Sequence, residues 1–141
     1  MSSAPNNSKK PPGRRFLLIE QSLVMRQTIA LTAGSLRIGE VHQSGSVALA
    51  LPMLEGMPFD GVVMTVDQDG DAKARAFDYA TLERIRDGRT ASKPDLPIVV
   101  LTAACDASFV SAMRALRIER ILVKPFRART LLEALAGMTG E

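Results

Sequence analysis

Five side chains in this sequence stand where chemistry could occur: Glu20, Gln21, Thr65, Thr102 and Lys124. Each follows a short apolar run. Leu17-Leu18-Ile19 leads into Glu20-Gln21, Gly61-Val62-Val63-Met64 into Thr65, Ile98-Val99-Val100-Leu101 into Thr102, and Ile121-Leu122-Val123 into Lys124-Pro125-Phe126. Runs of this length suit buried parallel strands, and Pro125 stops the last ladder from continuing. Parallel strands bring their carboxyl ends to one edge, where open α/β sheets place ligand sites. The edge would then hold one carboxylate, one amide, two hydroxyls and one amine. A neutral hydroxyl with no base beside it is a weak nucleophile. A single carboxylate is a thin ligand set for magnesium, which usually wants one or two carboxylates together with phosphate. Lys124 can instead pair with Glu20 and hold the edge in one arrangement; an unpaired lysine there would have a lowered pKa or bind an anion.

The elements that must position these groups follow from periodicity. Residues 15–20 form the first expected strand. Ser22 suits an N-cap for a helix from Leu23 to about Ala33, where Val24, Ile29, Leu31 and Ala33 recur at helical spacing and Gly34 suits the C′ position. A short second strand is expected within Leu36 to His42, and a second helix from Val47 to about Glu55, which Pro52 should kink or shorten. The third strand spans Phe59 to Met64 or Thr65. After the acidic stretch Asp67-Gln68-Asp69-Gly70-Asp71, a long helix is expected from about Ala72 to Arg86, with Ala74, Phe77, Leu82 and Ile85 inward. Pro97 to Thr102 reads as the fourth strand. Asp106 caps a helix to about Leu116 with Phe109, Val110, Met113 and Leu116 inward, and a fifth strand and a helix over about Arg129 to Ala136 follow. This alternation predicts an α/β fold: a doubly wound, five-stranded parallel sheet flanked by helices, with right-handed crossovers.

Composition narrows the function classes. A chain of 141 residues with 46% hydrophobic content is one domain with a real core. Residues 1–13 are polar and proline-containing and read as a disordered basic tail, leaving 14–141 as the domain. The cluster Lys9, Lys10, Arg14 and Arg15 reads as a solubilising junction or as a weak contact to an acidic partner or nucleic acid. No run is long and apolar enough for a membrane helix, and the start lacks the apolar core of a secretory signal. The lone Cys105 excludes an intramolecular disulfide framework and fits a reducing cytoplasm; with a single histidine, a zinc site is not expected. Net charge is only +3, yet 13 of the 18 basic residues are arginine, through genome composition or through a need for bidentate pairing. No nucleophile–base pair, metal cluster or glycine-rich phosphate loop appears, so no enzyme activity and no cofactor are expected. Asp69-Gly70-Asp71 lacks the rest of a calcium-loop pattern.

From about Arg15 to Leu135 the chain resembles the receiver domain of bacterial response regulators, the CheY-like family. The resemblance rests on Phe16-Leu17-Leu18-Ile19-Glu20-Gln21 with Arg26, Gln43-Ser44-Gly45-Ser46-Val47-Ala48-Leu49, Phe59-Asp60-Gly61-Val62-Val63-Met64-Thr65, Pro97-Ile98-Val99-Val100-Leu101-Thr102-Ala103 and Leu122-Val123-Lys124-Pro125-Phe126. It implies the strand order 2-1-3-4-5. It also implies an acidic pair after the first strand, a phospho-accepting aspartate ending the third, a Thr or Ser ending the fourth and a lysine ending the fifth. Thr102 and Lys124 match. The acidic pair is reduced to Glu20-Gln21, and Thr65 occupies the acceptor position. Ile121 replaces the aromatic of the family's switch, Arg117 stands where glycine is common, and the segment from Thr65 to Arg86 is longer than usual. These departures imply a pseudo-receiver: the fold kept and the phosphorelay switch lost. Asp67, where the family uses a backbone carbonyl, or Asp69 is the group that could restore metal or phosphate binding.

Two functions follow from the resemblance. One is phosphorylation-independent protein binding, by a stand-alone receiver, through the face of the fourth helix, fifth strand and fifth helix. Here that face would carry Met113, Arg114, Arg117, Glu119, Arg120, Phe126, Arg127 and Arg129, five arginines against one acid. It suits a histidine kinase or another signalling protein with an acidic patch, and receivers also homodimerise through it; the same charges suit a plainly solvated helix face. The other function is cyclic di-GMP binding by Arg117, Arg120, Arg127 and Arg129, as in some receiver-like proteins. No helix-turn-helix follows, so sequence-specific nucleic-acid recognition is not expected.

Overall fold

Alternating side chains decide the layering. The computed structural model of this protein describes residues 13–67 and 78–139. Five parallel strands, β1 (Arg15–Ile19), β2 (Glu40–Ser44), β3 (Gly61–Thr65), β4 (Ile98–Thr102) and β5 (Arg120–Val123), form one sheet in the order β2-β1-β3-β4-β5. Five helices flank it: α1 (Leu23–Leu36), α2 (Val47–Gly56), α3 (Tyr79–Arg86), α4 (Ala107–Ala115) and α5 (Ala128–Gly137). Leu17, Ile19, Val62, Met64, Ile98 and Val100 point to one face, where Leu54, Leu82, Ile85, Phe109 and Met113 of α2, α3 and α4 cover them. Phe16, Leu18, Val63, Val99, Leu101 and Leu122 point to the other, under Ile29 and Ala33 of α1 and Leu131, Ala134 and Leu135 of α5. The period of two along each strand therefore builds two cores on one sheet. The expected architecture and strand order are those of the structure.

Several boundaries differ from expectation, for local reasons. The first strand ends at Ile19, one residue early, because Glu20 turns its side chain into the site. α1 runs past Gly34 to Leu36, and the left-handed residue that ends it is Arg37, at φ 53°, whose N–H donates to Gly34 O at 3.1 Å. The second strand lies at Glu40–Ser44, not within Leu36 to His42, since Ile38 is a buried exit residue. Gly39, at φ 145°, precedes it; a Cβ there would lie 2.6 Å from Arg14 O. Pro52 does not shorten α2, which continues to Gly56; Ala48, whose carbonyl loses its N–H partner, is exposed. The third strand begins at Gly61 rather than Phe59.

The long third helix is corrected most. Asp78 is a non-helical N-cap whose carboxylate accepts from the Thr81 N–H at 3.0 Å and from its hydroxyl at 2.9 Å, so α3 starts at Tyr79 and no helix runs through 78 from Ala72. Ala74 and Phe77, and nearly all of the tail at 1–13, lie outside the described residues. Val110 and Leu116 are only partly buried, unlike Phe109 and Met113.

Candidate functional site

The parallel register sets Glu20, Thr65 and Lys124 side by side. Ile19 faces Met64 across β1 and β3, Thr65 faces Leu101, and Thr102 faces Val123, so residues just past these strand ends share one edge. Glu20 is 2% exposed and is the hub. Its Oε1 accepts from Lys124 Nζ at 2.8 Å and from the Thr65 hydroxyl, and its Oε2 accepts from the Ser22 N–H at 2.8 Å. Its backbone carbonyl accepts from Arg26 Nη1 at 2.8 Å. Burial pushes the Glu20 carboxyl pKa up, but Lys124, Thr65 and the Ser22 N–H together hold it below its ordinary value of 4.5. The carboxylate is thus ionised and fully used. Thr65 spends its hydroxyl hydrogen on this carboxylate.

Thr102 does not join this cluster. Its hydroxyl lies 2.7 Å from Asp67 Oδ1, while Asp67 Oδ2 accepts from the Ala103 N–H at 2.6 Å. Asp67 therefore bridges the end of β3 to the loop that leads into α4, with one charged acceptor serving two donors. That loop is also tied to β5, since the Lys124 N–H donates to Thr102 O at 2.8 Å. Asp67, expected with Asp69 as a group that could restore a metal site, turns its side chain to β4 instead, and Asp69 lies outside the described residues. Asp67→Ala is expected to lower stability by about 1–2 kcal/mol, discounted because Asp67 and Ala103 are partly solvated. Urea denaturation measures this; an unchanged midpoint would show that water replaces the carboxylate.

Gln21 is exposed and lines, with Ser46, Thr65, Asp67 and Asp78, a cleft of ≈ 130 Å³ beside the hub. This volume holds a few waters and is well below the few hundred Å³ of a typical small-molecule pocket. The two carboxylates on its wall are engaged elsewhere, Asp67 on Thr102 and Asp78 on Thr81. Among the described residues no group of three or more His, Cys, Asp or Glu is arranged to hold a metal ion.

The arginines lie apart from the pocket. Arg114 projects from α4, Arg117 from the turn after it, Arg120 from β5, and Arg127 and Arg129 from the N-terminal end of α5; all five are exposed. Among the described residues, none of these five forms a salt bridge. Arg117 takes φ 56°, a left-handed conformation that glycine adopts freely. Two expected members of this face are corrected. Met113 is 1% exposed and belongs to the core, since its helical position turns it to the sheet. Phe126 is partly buried against the α1–α5 core, because the chain turns inward between β5 and α5. Ile121 is likewise partly buried, packed on the opposite core. Val123, by contrast, is 43% exposed.

One contributor left no local sequence signal. Arg86 donates Nε to Leu116 O at 2.7 Å, Nη1 to Pro94 O and Leu96 O at 2.7 Å each, and Nη2 to Arg117 O at 2.9 Å. It fastens the end of α3 to the turn that presents Arg117.

No protein-family model matches the chain, and no curated protein matches it. Solved structures do. The chemotaxis protein CheY4 of Vibrio cholerae superposes with a TM-score of 0.73 at 21% identity, over 89% of this chain and 98% of that one. A CheY-like response regulator receiver domain from Methanospirillum hungatei gives 0.75 at 14% identity, over 91% and 94%. The non-phosphorylated HemR receiver domain of Leptospira biflexa gives 0.74 at 21% identity, over 91% and 95%. The fold of this chain is that of CheY-like receiver domains.

Proposed function

We propose that this chain is a pseudo-receiver that acts in bacterial two-component signalling, in the cytoplasm, by phosphorylation-independent contact with a protein partner. It would act without catalysis. The observation that carries the reading is the closed pocket: Thr65 at the acceptor position and Lys124 both engage Glu20. The amine that would otherwise meet an incoming anion is already paired, and the hydroxyl offers no carboxylate to phosphorylate. Among the described residues no helix is long and apolar enough to cross a membrane. The exposed arginines, none in a salt bridge among the described residues, fit an acidic partner such as the helical bundle of a histidine kinase.

The experiment is a titration with magnesium and acetyl phosphate followed by amide NMR shifts. The native chain is expected to give none around Glu20 and Thr65. Thr65→Asp together with Gln21→Asp is expected to regain magnesium binding, because two carboxylates then join Glu20. Native shifts on acetyl phosphate would overturn the reading. A second reading rests on the unpaired guanidinium groups: cyclic di-GMP bound outside the small cleft, by pairing with phosphate and stacking on guanine. Calorimetric binding of that nucleotide, lost in Arg127→Ala, would favour it over an acidic protein.

A further inference from the structure

α1 presents an outer face that the fold does not explain. Val24 is 74% exposed and Leu31 76%. Among the polar side chains between and beside them, Gln27 is exposed, while the three hydroxyls are turned back onto the helix: Thr28 donates to Val24 O at 2.9 Å, Thr32 to Thr28 O at 2.9 Å and Ser35 to Thr32 O at 2.7 Å. The one charged residue of the helix, Arg26, sends its guanidinium inward to Glu20 O. Gly34 lies inside the helix, where glycine is unfavourable, yet a Cβ there would meet no atom within 4 Å. The outer face is therefore long and uncharged, with Val24 and Leu31 as its apolar residues, Gln27 as its amide and a gap left by Gly34.

We propose that this face pairs with the same face of a second copy, the two α1 helices antiparallel about a two-fold axis near Ile29 and Ala30. Val24, Thr28, Leu31 and Ser35 follow the four-three-four spacing of a helix-packing seam. In the antiparallel arrangement Leu31 of one copy faces the partner copy's Thr28, and Val24 faces the partner copy's Gly34 and Ser35. Each large residue meets a small one, and the self-complementarity that a two-fold contact requires is met. Charge favours the same occupant. The arginine face would set like charges against each other in a symmetric dimer, whereas the α1 face brings none together. One helix from each copy buries less than the ~1,200 Å² of a stable interface, so the dimer exchanges rapidly, with a dissociation constant on the order of 100 µM.

Sedimentation equilibrium of the full chain tests this over about 10 µM to 1 mM, a range in which mass action should move the population from monomer to dimer. Leu31→Arg, which adds a charge at an exposed position, is expected to weaken association at least about 30-fold and leave the fold intact. Gly34→Ala is expected to raise the melting temperature of the monomer, through helix propensity, while weakening association. Arg127→Glu with Arg129→Glu is expected to leave association unchanged. A native chain that stays monomeric at the highest concentration overturns the proposal. So does a Leu31→Arg variant that associates like the native chain, or a dimer lost with the two arginines. None of these outcomes depends on the magnesium and acetyl phosphate titration.

Discussion

Glu20→Gln is expected to destabilise the fold by about 3 kcal/mol, a large part of the roughly 5–15 kcal/mol that holds a domain together. The reason is the donor geometry. Both carboxylate oxygens accept: one takes Lys124 and Thr65, the other the Ser22 N–H. Glutamine has one oxygen and one NH₂. Whichever way the amide is turned, the NH₂ meets a group that also donates. Lys124 is left without its counter-charge beside a buried wall. Breaking such a pair from one side costs about 3–5 kcal/mol, and the lower end applies because Lys124 is 23% exposed and can reach water. Urea denaturation at pH 7 measures the loss. A companion Lys124→Met on the Glu20→Gln background is expected to recover part of it, since no unpaired charge remains. A loss under about 1 kcal/mol would mean that solvent already compensates the pair.

The same pair carries a pH signature. The Glu20 carboxyl in the folded chain lies below 4.5, its ordinary value, which also serves for the unfolded chain. Its ionised form therefore contributes stability fully above that value, and the contribution is lost as pH falls through the lower folded value. The native chain and Glu20→Gln should differ by a constant amount from pH 7 to about 5 and converge below about 4.5. Subtracting the two curves removes the other carboxylates, which titrate in both.

How far the sequence reaches can be judged from these residues. Glu20, Thr65, Thr102 and Lys124 were each legible because an apolar run ends abruptly in a polar group, and parallel strands must bring such ends together. The resemblance supplied the strand order. What failed depends on directions that periodicity does not encode. Asp67 lies two residues past β3, and only the loop's path decides whether its carboxylate turns to a metal cleft or to Thr102. Leu36 and Ile38 read as strand because an apolar helix exit and a strand look alike over a few residues. α1 has so little polar contrast that its buried residues, Ile29 and Ala33, could not be told from the exposed Val24 and Leu31. That absence of contrast is itself the signal of a second surface.

The pocket and the loop that opens α4 belong to one mechanical unit. Glu20 holds β1 to Lys124, Lys124 follows β5, and its N–H reaches Thr102, whose hydroxyl is held by Asp67. The loop that opens α4 is thus fixed by charges supplied within the chain. On the proposed pseudo-receiver reading, the arginine surface would be presented continuously rather than on a signal.

Arg86→Ala is expected to cost about 3 kcal/mol, although no carboxylate is within ion-pair distance of Arg86 among the described residues. Its guanidinium serves four carbonyls, of Pro94, Leu96, Leu116 and Arg117, from three of its nitrogens. Hydrogen bonds from a charged donor contribute about 1.5–3 kcal/mol each when shielded, and the sum is discounted heavily here because the side chain is only partly buried. Burial and the nearby Arg117 charge lower the Arg86 pKa, while Asp95 and Glu119 partly restore it; the group stays protonated at any working pH. Lysine cannot substitute. Its single ammonium can meet one or two of these carbonyls, whereas the planar fork spans four from fixed directions. Arg86→Lys should therefore recover less than half of the loss in urea denaturation. A lysine variant as stable as the native chain would reduce Arg86 to a surface charge. The functional consequence follows from what the carbonyls belong to. Leu116 and Arg117 form the left-handed turn between α4 and β5, so releasing them lets Arg117 drift from Arg114 and Arg120. Amide hydrogen exchange at Arg117 and Ile118, whose N–H groups donate to Arg114 O and Met113 O at 3.0 Å, should rise in Arg86→Ala before the sheet itself loosens.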